Sequence, residues 1–350
     1  MYLRMTWVTI VLAVLMAGCS VPQTSASDGA EQTPAGAESV DALEVSGPAS
    51  AATVPDMKPV VDDPKPSLPA EVTDAAGNTV TVSAADRVLA LDLYGTLTDT
   101  VIGLGMSDRL VGRANSDTQK ALSDLPVVTK DGHDLNIEAV MNLSPDVILT
   151  NTTIGNPRLY KKLESAGVTV VRFQHKPRLK AIPGTIKQIG KTLGVPDAAG
   201  RLAQHTSERM DKAVKQIDDL RAQTPRKPRG MVLYVRGTAG IFFILGADYG
   251  AGDVLNALGL EDTAKKHGIT SMKPANAESL VSLDPEIVLA MKEGVESAGG
   301  IDELLDRPGL SATTAGRNKR LITAADSQLL SYGPRTPDNL LALARAIYAS

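Results

Sequence analysis

An internal repeat constrains the fold of this chain more than any other feature of its sequence. The segment Asn136–Leu149 reads NIEAVMNLSPDVIL, and it recurs 140 residues later at Asn276–Leu289 as NAESLVSLDPEIVL. Each copy begins with an asparagine suited to capping a helix, continues as a short amphipathic helix, and passes through a proline into an apolar strand. The repeat predicts two lobes of similar βα construction, each built around its own sheet.

One long helix is predicted to join the two lobes. From Asp197 to Arg221, apolar residues recur at spacings of about three and four among charged residues, and these are Leu202, Met210, Val214 and Ile217. That spacing is typical of an amphipathic helix. We therefore predict an α/β protein with two Rossmann-like βα lobes joined by a single long helix, with lobes at 71–196 and 225–350 and the linking helix at 197–224.

Shorter sequence patterns predict individual strands and helices in each lobe. Alternating residues around Ala76-Gly77-Asn78 predict a hairpin over 72–82 that opens the first lobe. Apolar runs at 88–91, 147–149 and 168–171 predict strands, with helices at about 99–104, 137–143 and 158–166. The second lobe is predicted to begin with a strand at 231–235 and to end with a helix at about 337–348.

The N-terminus carries the features of an exported protein. Arg4 precedes an apolar run over 7–16, which is too short to span a bilayer but has the length of a signal-peptide core. The run ends in Leu15-Met16-Ala17-Gly18-Cys19, which resembles the lipobox of bacterial lipoproteins. That resemblance implies a signal peptide over 1–18 and a lipid anchor on Cys19, the only cysteine of the chain.

The next segment is predicted to be a disordered tether over 19–70. Residues 20–70 contain eight prolines, eight acidic and two basic residues, and little apolar periodicity. Such a composition buries too little apolar surface to offset the entropy lost on ordering. The tether accounts for the net charge of −4, so the body that follows is close to neutral.

Composition excludes several classes of function. Aromatic residues make up 3% of the chain and the isoelectric point is near 5.7, so neither a base-stacking surface nor a basic footprint for nucleic acid is present. A single cysteine rules out an intrachain disulfide and a cysteine zinc site. No phosphate-binding Gly-Lys-Thr/Ser loop and no nucleophile elbow occurs, and we predict no enzymatic turnover.

Taken together, the lipobox, the acidic tether, the 72–82 hairpin and the paired Asn-x-Glu-x-x-x-x-Leu units resemble the helix-linked, class III substrate-binding proteins of ABC importers. The resemblance covers about residues 70–350. It implies an extracytoplasmic monomer, anchored to the membrane by lipid, that carries haem, cobalamin or an iron–siderophore complex between two rigid lobes. It also implies partners, namely a permease dimer with its ATPase.

The same resemblance gives a role to Glu138 and Glu278, one in each copy of the repeat. In that family one glutamate per lobe is presented to arginines of the two permease subunits. Two charges set far apart fix the register of a two-lobed protein on a two-fold partner. Each glutamate also lies in the first turn of a predicted helix, where it interacts favourably with the helix dipole.

Three residues are predicted to bind the ligand. His133 lies in Asp131-Gly132-His133-Asp134, a turn directly before the first repeat helix, while Tyr234 and Arg236 end the first strand of the second lobe. Strand periodicity places Tyr234 and Arg236 on one face, where the guanidinium can reach the phenol oxygen. A nearby positive charge favours the phenolate, lowering the pKa of a tyrosine from about 10. Phenolate is a known proximal ligand type for haem iron.

This pattern closely resembles the haem-binding lipoproteins of actinobacterial haem importers. In those proteins a Gly-His turn and a Tyr-x-Arg strand supply the two axial ligands and the arginine beside them. Carried over, His133 and Tyr234 ligate the iron of ferric haem b and Arg236 hydrogen-bonds Tyr234. In many Gram-negative relatives a tyrosine of the first lobe is the ligand instead, and Tyr94 is the residue here that could fill that position.

The sequence does not decide the roles of two other residues near the predicted cleft. Met291 ends a strand on the cleft side, where it either contacts the ligand or packs in the core, and Arg335 either reaches a propionate or caps local structure. The remaining histidines have polar neighbours and are predicted at the surface, namely His175, His205 and His267.

Two alternatives differ from haem transport. Within the same transporter class, the cargo is a ferric siderophore or cobalamin. In a different class, the motif from Leu91 to Asp99 resembles the opening motif of haloacid-dehalogenase-type hydrolases, with Asp92 as nucleophile. The later motifs of those hydrolases are not found in the chain. The main prediction is therefore an extracytoplasmic haem receptor.

Overall fold

The computed structural model describes residues 38–130 and 132–349, so the predicted leader and Cys19 lie outside the described residues. The described chain is a mixed α/β structure of two lobes. The first lobe and the segment before it contain the following elements: β1 (Ala49–Ser50), β2 (Ala70–Thr73), β3 (Thr79–Val82), β4 (Val88–Leu91), α1 (Thr96–Gly103), β5 (Thr129–Lys130), β6 (Asp134–Leu135), α2 (Ile137–Asn142), β7 (Val147–Thr150), α3 (Pro157–Ser165), β8 (Thr169–Arg172) and α4 (Ile182–Thr192).

A parallel three-stranded sheet in the order β4-β7-β8 forms the centre of the first lobe. Val147 of β7 lies opposite Val88 of β4 on one side and Thr169 of β8 on the other. Every residue of β4 and β7 is buried, which is usual for parallel strands covered on both faces. The predicted hairpin is confirmed, because β2 and β3 pair antiparallel with Ala70 opposite Val82.

The second lobe is built on a larger, mixed sheet. Seven strands join in the order β1-β14-β13-β9-β10-β12, with β11 added beside β9. The elements are α5 (Pro196–Leu220), β9 (Arg229–Arg236), β10 (Ile241–Leu245), α6 (Ala251–Ala257), β11 (Glu261–Asp262), α7 (Thr263–Lys266), β12 (Met272–Pro274), α8 (Ala277–Leu283), β13 (Ile287–Met291), α9 (Lys292–Ser297), α10 (Ile301–Leu305), α11 (Thr314–Arg317), β14 (Leu321–Ala324), α12 (Asp326–Leu330) and α13 (Thr336–Tyr348).

The predicted linking helix is α5, which packs against α4 of the first lobe and α13 of the second. Helix α4 was not predicted from the sequence. Its Gly190 lies so close to α5 that an added Cβ would approach the Cβ of Ala199 to 2.2 Å. One continuous group of buried apolar side chains runs through both lobes and these helices, so the lobes share a core.

Residues 38–70, which we call the strap, differ from the prediction of a disordered tether over 19–70. Strand β1 pairs in parallel with β14 at the edge of the second lobe, with Ala49 opposite Ile322. Further along, the strap reaches the first lobe, where the Met57 amide donates to Gln119 Oε1 at 2.6 Å and the Val60 amide donates to the Gly103 carbonyl at 2.9 Å. The tether prediction is therefore wrong for these residues.

The reason for that error is the size of the buried side chains in the strap. Ala42, Ala49, Ala51 and Val54 are all buried, yet small residues scattered among prolines produce no helical or alternating pattern. The stabilising partner is an open strand edge almost three hundred residues away in sequence, at β14. None of the described helices is both long enough and apolar enough to cross a membrane.

Candidate ligand-binding cleft

The two lobes meet where α1 begins. The hydroxyl oxygens of Thr96 and Ser331 lie 3.1 Å apart, and the Tyr332 amide donates to Thr96 Oγ1 at 3.3 Å. Thr96 follows the carboxyl end of β4, and open α/β sheets place their ligands at the carboxyl ends of their strands. This junction therefore forms the floor of an interlobe cleft.

Tyr234 and Arg236 lie on the same face of β9, as the strand periodicity predicted. The alternate residues Met231, Leu233 and Val235 are buried in a separate core on the opposite face. Cζ of Arg236 stands 4.7 Å from the centroid of the Tyr234 ring, so the cation lies over the aromatic face. Two side chains that belong to one strand thus act as a stacked pair.

Arg236 makes its hydrogen bonds to other groups than the phenol. Its Nη2 donates to Asp326 at the start of α12, and its Nη1 donates to the Val235 carbonyl at 2.7 Å. No hydrogen bond joins Arg236 to the Tyr234 oxygen in the described part of the chain. The predicted hydrogen bond is therefore replaced by stacking and by an ion pair that holds the guanidinium in place.

Asp326 is the anchor of that ion pair. Burial, together with the neighbouring Glu293 carboxyl, raises the pKa of Asp326 to about 6, although Arg236 acts in the opposite direction. Its Oδ1 atom is buried and has no hydrogen-bond partner among the described residues. Sequence reasoning missed Asp326, since nothing local marks it as a partner of a residue 90 positions earlier.

Tyr94 lies in the first lobe, and like Tyr234 of the second lobe it is partly buried against the core that the lobes share. Burial raises the pKa of Tyr94 above its ordinary value, Tyr234 and Asp326 add to the increase, and Arg236 opposes it. Because both tyrosines pack against one core, Tyr94 and Tyr234 border the same cleft.

His175, which follows β8, forms the wall beside Tyr94. The two ring centroids are 6.2 Å apart and tilted by 38°. His175 is exposed at the surface, as its polar neighbours predicted, and the protein groups around its ring remove enough water to lower its pKa. Its position in the cleft wall was not indicated by the sequence.

His133 lies in the turn between β5 and β6, where its side chain is exposed. The turn is held by its backbone, since the Gly155 amide donates to the His133 carbonyl at 2.8 Å. No hydrogen bond or ring contact joins His133 to Tyr234 among the described residues. The pairing of these two residues as iron ligands stays a prediction.

Met291 and Arg335, whose roles the sequence left undecided, both make contacts within the protein. Met291 is fully buried at the end of β13. Nη1 of Arg335 lies 3.6 Å from Asp99 Oδ1, and its Nη2 donates to the Val54 carbonyl at 3.2 Å. Arg335 thus joins the second lobe to the first lobe and to the strap.

Asp92, the nucleophile of the hydrolase alternative, serves a structural purpose. Its buried carboxylate accepts hydrogen bonds from the Thr96 and Leu97 amides at 3.0 and 2.9 Å, at the start of α1. Burial raises its pKa to about 6, while these backbone donors lower it. Both carboxylate oxygens are occupied in satisfying the free amides of a helix terminus.

Glu138 and Glu278 occupy equivalent positions in the two lobes. The predicted helix caps are confirmed, because Asn136 accepts from the Ala139 amide at 3.2 Å and Asn276 accepts from the Ser279 amide at 2.8 Å. Both glutamates are exposed in the first turns of α2 and α8. Neither carboxylate forms an ion pair within the described chain.

Two α/β lobes with a shared core, a linking helix and a cleft at the strand ends define a substrate-binding protein of the class that serves ABC importers. The chain belongs to the family described as periplasmic binding protein, whose model matches residues 92–327. Members of this family bind substrates for ABC importers and are not enzymes, which removes the hydrolase alternative.

Individual relatives agree with this family. The haem-binding protein HmuT is 38% identical in sequence to this chain. Its crystal structure matches the chain with a TM-score of 0.84, over 89% of this chain and all of HmuT's. An uncharacterised ABC transporter substrate-binding lipoprotein of Bacillus subtilis, YvrC, is 24% identical over 80% of this chain and 86% of its own. A cobalamin-binding protein of Halobacterium salinarum is 29% identical over 64% of this chain and 58% of its own.

Proposed function

We propose that this protein is an extracytoplasmic haem receptor, anchored through Cys19, that captures ferric haem b in the interlobe cleft. Acting as a monomer, the protein then delivers the haem to an ABC permease dimer with its ATPase. The proposal rests on the Tyr234 ring with the Arg236 cation 4.7 Å from its centroid, and on Tyr94 of the first lobe, which is partly buried against the same core as Tyr234.

The chemistry of this pair suits ferric iron. A phenolate is a hard anionic ligand, and tyrosine is an established proximal ligand of haem. Asp326 keeps Arg236 over the Tyr234 ring before any ligand arrives, so the ligand does not have to order it. His133 is the proposed second axial ligand, supplied by the turn of the first lobe.

HmuT supports the same residue set. Its structure has also been solved with one histidine, one arginine or one tyrosine replaced by alanine. The replaced tyrosine and arginine of HmuT are two positions apart, as Tyr234 and Arg236 are in this chain. Periplasmic haem-binding proteins of lower identity share the fold as well, among them one from Pseudomonas aeruginosa.

Cobalamin is the second candidate cargo, because a cobalamin-binding protein is among the relatives. Equilibrium binding of hemin, cyanocobalamin and a ferric siderophore to the purified protein separates these candidates. We expect saturable hemin binding at least a hundredfold tighter than binding of the other two. Tighter binding of cobalamin or of the siderophore would overturn the haem assignment.

For delivery, we propose that Glu138 and Glu278 contact arginines on the two permease subunits. Their exposure, their lack of ion-pair partners in the described chain and their equivalent positions support this role. Reversing both charges, with Glu138→Lys and Glu278→Lys, should abolish haem uptake and leave hemin affinity unchanged. Unchanged uptake by the double variant would contradict the docking role.

A further inference from the structure

Each proposed docking glutamate has an exposed apolar side chain three residues after it. Met141 follows Glu138 and is 37% exposed, and Val281 follows Glu278 and is 49% exposed. The described residues contain five exposed large hydrophobic side chains, and these are two of them. Met141 and Val281 occupy the same position of the repeat, so this exposure occurs once in each lobe.

Helix geometry places each apolar side chain beside its glutamate. Residues three apart are neighbours on one helix face, so α2 presents Glu138 with Met141 and α8 presents Glu278 with Val281. The residues just before them, Val140 and Leu280, point into the cores of their lobes and fix the rotation of each helix. Each helix therefore exposes a carboxylate and an apolar group together.

The two helices are also held in equivalent orientations. Each is followed within two residues by a non-glycine residue in the left-handed region, Ser144 with φ 44° after α2 and Asp284 with φ 34° after α8. Each then enters a parallel strand in the centre of its own sheet, β7 or β13. Because the helix returns along the strand that follows it, its first turn lies toward the carboxyl ends of the strands, where the cleft opens.

Single exposed hydrophobic residues are common on protein surfaces and need no explanation. Val214, which is 38% exposed on the linking helix, is an example. Met141 and Val281 differ from such residues because the side-chain type changes between the two copies of the repeat while apolar character and exposure are kept. The next position is polar in both copies, with Asn142 and Ser282 exposed.

We propose that Met141 and Val281 form an apolar contact with the permease dimer, one on each subunit, beside the ionic contact of the neighbouring glutamate. The partner surface would present, twice around its two-fold axis, a cation next to an apolar depression. This inference rests on the proposed docking role of Glu138 and Glu278. The glutamates steer the encounter through long-range charge, whereas the apolar side chains slow dissociation.

The test is binding of the full, haem-loaded protein to the purified permease–ATPase complex in lipid nanodiscs. The variant Met141→Gln with Val281→Thr keeps side-chain size and removes apolar character, and Val214→Thr is the matched control. We expect the double variant to bind about tenfold more weakly, mainly through faster dissociation, and the control to be unchanged. Circular dichroism and the hemin spectrum should be identical in all variants.

Salt separates the two contributions. In about 0.5 M salt, the loss caused by charge reversal at Glu138 and Glu278 should shrink, while the loss caused by the apolar double variant should persist. If the apolar double variant binds normally while the charge-reversed protein loses affinity, the apolar contact is contradicted and the docking role of the glutamates is not. Normal affinity of both variants would overturn both proposals, and neither result would alter the assignment of haem as cargo.

Discussion

Arg236 has two neighbours that each use a different property of its side chain. The positive charge pairs with the half-buried Asp326, while the flat guanidinium covers the Tyr234 ring. A lysine has the charge but neither the planar shape nor the divergent donors, so it cannot serve both neighbours at once. The geometry of the site therefore depends on arginine rather than on positive charge alone.

Replacing this residue with Arg236→Lys should weaken hemin binding by about tenfold, because the ordered cation over the Tyr234 ring is lost. Hemin titration followed by absorption measures the change. The control is Arg226→Lys, which alters an exposed ion pair with Glu286 outside the cleft. An affinity of Arg236→Lys within twofold of the parent protein would contradict this account.

Asp99 is a buried carboxyl that contacts Arg335 and accepts a hydrogen bond from Gln119 Nε2 at 2.5 Å. Burial raises its pKa from 3.8 to about 7, although Arg335 opposes the increase. The folded protein therefore binds this proton more tightly than the unfolded chain. The resulting stability is fully present below about pH 4 and is lost as the pH rises through about 7.

Asp99→Asn should remove that contribution. The free energy of unfolding should then fall less between pH 4 and pH 7 than in the parent protein, by on the order of 2–4 kcal/mol. Urea unfolding at several pH values measures it, with the exposed Asp108→Asn as control. An unchanged pH dependence in Asp99→Asn would show that this carboxyl is already ionised in the folded protein.

For individual residues, local periodicity in the sequence predicted part of the site. Alternation along β9 was enough to place Tyr234 and Arg236 on one face. The contacts to Asp326 and between Tyr94 and His175 join residues that are distant in sequence and carry no shared pattern. Those contacts depend on how the lobes assemble, which residue types alone do not specify.

Among the elements, the strap has the largest consequence for the architecture. It adds β1 to the sheet of the second lobe and then binds the first lobe through Met57 and Val60, so it crosses between lobes independently of α5. The repeat predicted α2 with β7 in the first lobe and α8 with β13 in the second, because each copy has strong amphipathic and β-branched patterns. The strap has neither, since its buried residues are small.

The strap can be tested with a charge placed at matched buried and exposed positions. Ala49→Asp puts a carboxylate into the buried β1 and should lower the free energy of unfolding by about 2–4 kcal/mol. Thr53→Asp introduces the same charge at an exposed position and should have little effect. Equal stability of the two variants, measured by denaturant unfolding, would indicate that the strap does not pack as described.

For the whole molecule, the shared core, the linking helix and the strap together hold the lobes in a fixed relation. Interlobe contacts at the cleft floor, such as Thr96 with Ser331, add to this restraint. We therefore expect haem to enter a cleft that is already formed. The radius of gyration from small-angle X-ray scattering should change by less than about 1 Å when hemin is added. A change of several ångströms would show that the lobes close around their cargo.

The central claim, that Tyr234 holds the iron of a haem in this cleft, is tested most directly by the absorption spectrum of the purified protein with hemin. We predict a saturable ferric Soret band that shifts and weakens in Tyr234→Ala. In Tyr234→Phe the band should change in the same direction, while the stability of the protein is kept. An unchanged Soret band and affinity in Tyr234→Ala would contradict the account.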